Sequence, residues 1–319
     1  MPKQVLTDSD FVDLFQKLGP QRMAEKTGMA KRGIMNRRRR IERRTSKSIL
    51  PPDPSPVETW AKVGKTEIPG RLQINIKDGI VLVGSDAHYM PDVVTTAHRA
   101  FVAFAKEFKP RVLAENGDVL DGSTISRHTP IGWEKRPKLI EEIEACQDRL
   151  HELRKASPNS EFVWQLGNHC ARFETRLATV APEYARVNGV HLKDHFPGWQ
   201  PCWSLWINDD VIIKHRLNKG LHATHNNTLK SGKTMVTGHL HSLKVTPWTD
   251  YNGTRYGVDT GTLADPFGPQ FNDYMEDGPR NWRSGFVVLT FRNGRLMWPE
   301  VVSVVDENTV EFRGELIRV

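Results

Sequence analysis

Five short polar segments each follow directly on an apolar run. Asp86-Ala87-His88 follows Ile80–Val83, Gly117-Asp118-Val119-Leu120-Asp121 follows Arg111–Ala114, and Gly167-Asn168-His169 follows Phe162–Gln165. His215 comes after Val211–Ile213, and Gly238-His239-Leu240-His241 comes after Thr234–Val236. Short runs rich in Val, Ile and Leu, bounded by Gly, Asp and Asn, read as buried strands. Carboxylate, imidazole and amide groups repeated at strand ends constrain the fold strongly. Parallel strands laid side by side with like ends together bring such groups to one sheet edge, where they satisfy each other or a ligand.

Helices are predicted between these strands, over Asp92–Phe108 and Pro137–Lys155. The second keeps an apolar stripe at Leu139, Ile143, Cys146, Leu150 and Leu153. Beyond Gly238 the pattern is β only, at Gly285–Phe291, Leu296–Val304 and Val310–Leu316. Alternating β and α followed by a β-rich end predicts an α/β (α+β) fold, a two-sheet β-sandwich flanked by helices, over residues 71–319. Residues 49–70 hold Pro51, Pro52, Pro54, Pro56 and Pro69 and read as a semi-rigid linker, with Trp60 free to dock on a domain.

Charge separates the remaining piece. Residues 1–50 carry 13 Lys and Arg against 5 Asp and Glu, a net +8, while the rest of the chain carries 32 against 33, a net −1. An anion-binding module ahead of a nearly neutral domain is the direct reading, and the partner that suits it is nucleic acid, DNA ahead of RNA. Residues 1–48 form a small all-α unit in this reading. A first helix runs from Asp8 to Leu18, capped by Thr7 or Asp8, with Phe11, Val12, Leu14, Phe15 and Leu18 on one side. Gly19-Pro20 ends it, a second helix runs to Thr27 and stops at Gly28, and a third covers Met29–Arg44. Ala24 and Gly28, flanked by Met23 and Ile34, resemble the helix-turn-helix family, which implies DNA binding. The phosphate-pairing candidates are Lys31, Arg32, Arg37, Arg38, Arg39, Arg40, Arg43 and Arg44. Non-specific binding is expected ahead of sequence reading, because Arg38–Arg40 leave little apolar stripe and the third helix can equally be an extended basic arm.

The ordered series DxH, GDxxD, GNH, H, GHxH over residues 80–262 resembles the calcineurin-like metallophosphoesterase superfamily. The resemblance implies a two-metal site that hydrolyses phosphoesters by in-line attack of activated water. It places Asp86, His88, Asp118 and His241 on one ion, with Asp118 bridging to a second ion that adds Asn168, His215 and His239. His215, next to its strand, is favoured over His222 and His225, which lie in a Gly- and Asn-containing stretch. The resemblance gives His169 the role of proton donor to the leaving oxygen, with Asp121 orienting its ring. Imidazole, carboxylate and amide ligation without thiolate suits two divalent ions, Mn²⁺ ahead of Fe or Zn²⁺. Cys170 stands where that family often has an acidic residue, which leaves the substrate open. Arg172 is a candidate phosphate contact, and His222 a second.

The loops 122–137, with Arg127, His128, Trp133 and Lys135, and 265–282, rich in Gly, Pro and aromatics, are long enough to shape a substrate cleft. No apolar run reaches membrane-spanning length, the N-terminus lacks a signal-peptide pattern, and Cys146, Cys170 and Cys202 lack paired spacing; a cytoplasmic protein is expected, in a bacterium or its virus. The leading expectation is a nuclease-type phosphodiesterase. The alternatives are a phosphomonoesterase or small cyclic-nucleotide phosphodiesterase with a docking module, and a nucleic-acid-binding protein with a vestigial metal site.

Overall fold

The computed structural model describes residues 6–45, 49, 68–128, 130–185, 187–271, 278 and 281–319. They divide into two units, Met1–Thr66 and Glu67–Val319. Most of the expected 49–70 linker, with Trp60, lies outside the described residues. Its last residues belong to the second unit, where the carbonyls of Pro69 and Gly70 accept from Trp203 N and Ser204 Oγ.

In the first unit, Thr7 Oγ1 accepts from Asp10 N at 3.1 Å and starts α1 (Asp8–Thr27). Gly19 breaks that helix at φ 68°, ψ 172°, and Pro20 follows in the first turn of its second half. Left-handed Gly28 closes it, its N–H bonded to Ala24 O at 2.9 Å. Helix α2 (Lys31–Thr45) then begins at Lys31, not Met29, because Gly28 ends α1 and Thr27 Oγ1 accepts from Met29 N. Phe11, Phe15, Met23, Ile34, Ile41 and Ile49 form a core of their own.

The second unit runs β1 (Leu72–Ile74), β2 (Gly79–Gly84), α3 (Thr96–Phe108), β3 (Val112–Glu115), α4 (Leu139–Ala156), β4 (Glu161–Gln165), α5 (Cys170–Val180) and β5 (Gln200–Cys202). It continues with β6 (Leu205–Ile207), β7 (Val211–Ile213), α6 (Ala223–Ser231), β8 (Thr234–Thr237), β9 (Lys244–Asp250) and β10 (Gly253–Asp259). The end is all β: β11 (Gly285–Arg292), β12 (Arg295–Leu296), β13 (Glu300–Asp306), β14 (Thr309–Phe312) and β15 (Glu315–Arg318). One sheet has the order β15-β14-β13-β11-β2-β3-β4-β5, with β12 on β11; the other is β1-β6-β7-β8-β10-β9.

Period-two alternation explains why the sheets stack. Val81 and Val83 of β2, Val112 and Ala114 of β3, and Val287 and Leu289 of β11 join a core with Leu205, Ile213, Val236 and Val258 of the other sheet. Their neighbours Leu82, Leu113, Phe286 and Val288 enter a second core with Phe101, Phe104, Ile143 and Leu150 of α3 and α4. A strand buried on both faces reads as an unbroken apolar run, as these do. The mixed two-sheet architecture flanked by helices, with a helical N-terminal part, is the one expected.

Several boundaries differ from expectation. Helix α3 starts at Thr96, not Asp92, because Asp92 is left-handed (φ 61°) and Thr95 Oγ1 supplies the cap to His98 N. Helix α4 starts at Leu139, where Glu141 accepts from the N–H of Lys138 at 2.8 Å. The run Leu296–Val304 is two strands, since Met297 N turns back to Thr290 O and Pro299 has no N–H to give. Val310–Leu316 is a hairpin, β14–β15, reversed by the left-handed pair Arg313 (φ 56°) and Gly314 (φ 81°). Helix α6 and the hairpin β9–β10 are unforeseen. No described helix is long and apolar enough to cross a membrane.

Phe286 is fully buried between Phe101 and Phe104, with ring centroids 5.0 and 5.3 Å away. Phe286→Ala should lower unfolding free energy by about 3–5 kcal/mol, read as a fall in the urea midpoint.

Candidate metal centre

All five polar segments leave the carboxyl ends of strands. Asp86 and His88 follow β2, Asp118 follows β3, and Asn168 and His169 follow β4, three mutually parallel strands of one sheet. His215 follows β7, and His239 and His241 follow β8, a parallel pair in the other. The site therefore lies where the ends of both sheets meet. Main-chain pairing continues past the strands and fixes the loops, through Asp86 N to Gly117 O, His88 N to Asp118 O and Gly238 N to His215 O, each 2.9 Å.

The backbone is bent to aim these side chains. Asp86, His88, Asp118, His239 and His241 all have positive φ, from 41° to 73°. That region costs a non-glycine residue roughly 1–2 kcal/mol, and such strain clusters at functional sites. The three motif glycines make room. A Cβ on Gly167 would stand 2.0 Å from Asp118 Oδ1, one on Gly238 would stand 2.5 Å from Asp86 Oδ2, and one on Gly117 would stand 2.3 Å from His215 Nδ1.

Ligand atoms gather in groups of three: Asp86, His88 and His241; Asp118, His215 and His239; and His88, Asp121 and His169, each within 4.8 Å of one another. His241 Nε2 is 3.1 Å from Asp86 Oδ1, and His215 Nε2 is 3.0 Å from Asp118 Oδ2 and 3.9 Å from Asp86 Oδ1. His215 Nδ1 donates to Asn116 O at 2.7 Å, which leaves Nε2 as the nitrogen that faces the two carboxylates. Despite the short distance, His215 Nε2 has no hydrogen bond of acceptable geometry, and neither have Asp86 Oδ1 and Asn168 Oδ1, all buried. Buried acceptors left unpaired are costly. Carboxylate and imidazole ligand atoms within 4.8 Å of one another are the donor set a divalent cation takes, so these Asp and His clusters can hold metal ions.

The electrostatics agree. Burial opposes ionisation of Asp86 and Asp118, yet His241 and His215 beside Asp86, and His215 and His169 beside Asp118, hold both carboxyls below their usual range. Burial also works against a proton on His215, but Asp118 and Asp86 raise its pKa to about 9, so without metal Nε2 holds a proton that a bound cation would displace. Burial and the neighbouring His215 push His239 down to about 4, leaving a neutral imidazole. Two aromatic rings close over the imidazoles: Phe271 lies 5.3 Å from His88 and 5.7 Å from His241, and Trp282 lies 4.6 Å from His241.

His169 heads α5, with its N–H on Asp118 Oδ1 at 2.8 Å and Nδ1 2.8 Å from Asp121 Oδ1. Asp121 also bonds His88 Nδ1 at 3.0 Å, and these two rings keep its carboxyl low against burial. Arg172 donates to Asp121 O at 3.0 Å and faces His169 Nε2 at 3.1 Å. Burial disfavours a charged His169, while Asp118 and Asp121 raise its proton affinity. The two carboxylates prevail and the pKa of His169 is raised, with the nearby Arg172 guanidinium the smaller, opposing influence.

His222 stands exposed at the start of α6 and joins none of the clusters, and His225 packs its ring edge on Trp248 at 4.9 Å. Cys170 is buried in the helix-side core, where burial lifts its pKa to about 11.

Sequence reasoning missed the groups behind the site. Ser85 Oγ donates to Asp86 Oδ2 at 2.6 Å, and Thr262 Oγ1 to Asp86 O at 2.6 Å. Glu142 of α4 anchors the 122–137 loop by accepting from Gly122 N at 2.6 Å and Ser123 Oγ at 2.6 Å. Glu115 is fully buried at the end of β3, bonded by the Tyr89 hydroxyl at 3.1 Å; that hydroxyl also lies 3.0 Å from His98 Nδ1. The available signal was a charged residue inside the otherwise apolar run Val112-Leu113-Ala114-Glu115.

Comparison with protein families found no match, and comparison with curated proteins found none. Among solved structures, a chain similar in part is Yfce, a phosphoesterase from E. coli, at 14% identity and TM-score 0.32, covering 69% of this chain and 97% of that one. At that score the likeness carries no weight here, and nothing in these comparisons supports a helix-turn-helix assignment.

Burial pushes the Glu115 carboxyl up to about 8, so it is neutral in the folded protein at pH 7. The unfolded chain ionises near 4.5. The sign follows: stability is full below about pH 4.5, falls as the unfolded carboxyl ionises, and levels off above about pH 8. In metal-free protein, Glu115→Gln should flatten the loss of stability between pH 5 and 8, by roughly 1.4 kcal/mol per pKa unit removed. Denaturant midpoints at the two pH values measure it.

Proposed function

We propose that this chain is a dinuclear-metal-dependent phosphodiesterase of the calcineurin-like type that hydrolyses phosphoester bonds in nucleic acid, DNA ahead of RNA. The observation that carries the reading is the pair of buried clusters, Asp86–His88–His241 and Asp118–His215–His239, with unpartnered acceptors inside them. Asp86, His88 and His241 would hold one ion and Asn168, His215 and His239 the other, with Asp118 shared. When bound, the ions would supply Lewis-acid charge neutralisation at the phosphoryl oxygens and activation of water; Mn²⁺ is the first candidate, ahead of Fe or Zn²⁺.

The chain's own groups supply the rest. Asp121 fixes the His169 ring through Nδ1 and leaves Nε2 as the nitrogen that can hand a proton to the leaving oxygen. Arg172 occupies Nε2 in the resting site and is a bidentate partner for an incoming phosphate. Its transfer from imidazole to phosphate removes a charge that opposes the proton on His169 as substrate arrives. Phe271 and Trp282 pack edge-on against His88 and His241 and hold those rings in place.

Support for nucleic acid comes from how α2 uses its cations. Arg37 bonds Leu6 O and Asp8, Arg44 pairs with Asp8, and Arg38 pairs with Glu42, so these three hold the module together. Lys31, Arg32, Arg39, Arg40 and Arg43 are exposed and have no ion pair among the described residues. At 100° per residue, Arg32, Arg39 and Arg43 form a stripe opposite the buried Ile34 and Ile41. A positive stripe on the solvent face suits a phosphate backbone.

The test compares Mn²⁺-loaded wild type with His169→Ala on labelled single-stranded and duplex DNA and RNA, and on a small chromogenic phosphodiester. Cleavage of nucleic acid by the wild type is expected, with His169→Ala slower by about 10²–10⁴-fold and its Mn²⁺ content unchanged. Cleavage of the small ester with every nucleic acid left intact would contradict the nuclease assignment.

A further inference from the structure

A cleft of about 60 Å³ opens beside the site, and its inner wall is His88 and Asp121. Its other wall is the 122–137 loop, through Ser123, Lys135 and Arg136. This loop is anchored at both ends. Glu142 holds its start at Gly122 and Ser123, and Arg136 ties its end back to Ser123 O at 2.7 Å while pairing with Glu134 at 2.8 Å. Arg136 is thereby committed to structure. Lys135 is not: it is exposed on the cleft and has no ion pair among the described residues. Two residues before it, Trp133 is 77% exposed, an unusual state for the residue with the largest apolar surface to hide.

The side on which the cleft lies gives it meaning. His169 and Asp121 stand on the side from which a proton reaches the leaving oxygen, so what fills a cleft walled by Asp121 is the leaving group. The acidic groups of the wall are already satisfied, Asp121 by His88 and His169, Glu134 by Arg136 and Glu142 by the loop start, so Lys135 is left to meet an anion.

We infer that Trp133 and Lys135 form the leaving-side subsite for single-stranded nucleic acid. The base of the leaving nucleotide stacks on Trp133, and the next phosphate along the strand pairs with Lys135. A single strand is specified because a base paired in a duplex has no free face to offer an indole. The inference rests on the phosphodiesterase reading and names its substrate class.

The test uses the Mn²⁺-loaded full chain and two readouts. First, a short oligothymidylate is assayed as a competitive inhibitor of small-ester hydrolysis, which reports on the catalytic cleft and not on the basic amino-terminal module. It should inhibit the wild type, and Trp133→Ala and Lys135→Ala should each weaken inhibition roughly ten- to hundredfold, a loss at least tenfold larger than any change in small-ester kcat/KM. Second, an oligonucleotide carrying a photoreactive iodouracil should crosslink to Trp133, located by peptide mass spectrometry. Hydrolysis of the small ester with no inhibition by the oligonucleotide, or inhibition equal in wild type and both variants, would overturn the subsite while leaving the phosphodiesterase reading intact. A wild type that hydrolyses no ester would overturn both.

Discussion

Two carboxylates, Asp86 and Asp118, are buried at 1% exposure, and the same imidazole nitrogen, His215 Nε2, lies 3.9 Å from one and 3.0 Å from the other. Burying one anion costs several kcal/mol, and burying two together adds their repulsion. Main-chain donors offset part of this, His239 N on Asp86 Oδ2 and His169 N on Asp118 Oδ1, both at 2.8 Å. What those donors leave over is negative charge and unpaired lone pairs at the meeting point of two sheets. A pair of divalent cations would complete the balance. The left-handed Asp86, His88, Asp118, His239 and His241 and the glycines that admit carboxylate oxygens all serve this concentration of charge.

The same logic separates the parts that could be read in the chain from those that could not. Apolar runs ending in Asp, Asn or His report both a strand and a polar cluster at its end, because a buried strand tolerates such groups only where they are satisfied there. Hence β2, β3, β4, β7 and β8 and the convergence of their loops were legible. The bend of the backbone at these residues was not, since positive φ at Asp86 or His241 is imposed by tertiary pairing and not by a local preference. The β14–β15 hairpin was hidden for a related reason: Arg313-Gly314 lacks the usual Asn or Asp of a tight turn, and the flanking residues alternate without interruption. Glu115, Tyr89 and His98 were invisible as a group because sequence separates residues that only the packing of α3 on β3 unites.

In the amino-terminal unit, composition pointed to eight cations and structure sorts them. Three bind the module's own acids and carbonyl; the guanidinium of Arg37 also lies 4.9 Å over the Phe11 ring and that of Arg38 5.6 Å over Phe15. The rest face solvent. Charge counting cannot make that distinction, because an arginine that braces a small core and one that meets a phosphate look alike in a run. Around the candidate site the same sorting applies to Arg136, which braces its loop, and Lys135, which does not.

The most direct measurement of the central claim is the number of divalent ions bound per chain, by calorimetric titration of metal-free protein with Mn²⁺, in wild type and Gly167→Ala. A methyl group at position 167 would lie 2.0 Å from Asp118 Oδ1 and displace that carboxylate. Two ions in the wild type and at most one in the variant, with unchanged circular dichroism, is the predicted result. Wild-type protein that binds no Mn²⁺, Fe²⁺ or Zn²⁺, or a variant that binds both ions as tightly, would contradict it.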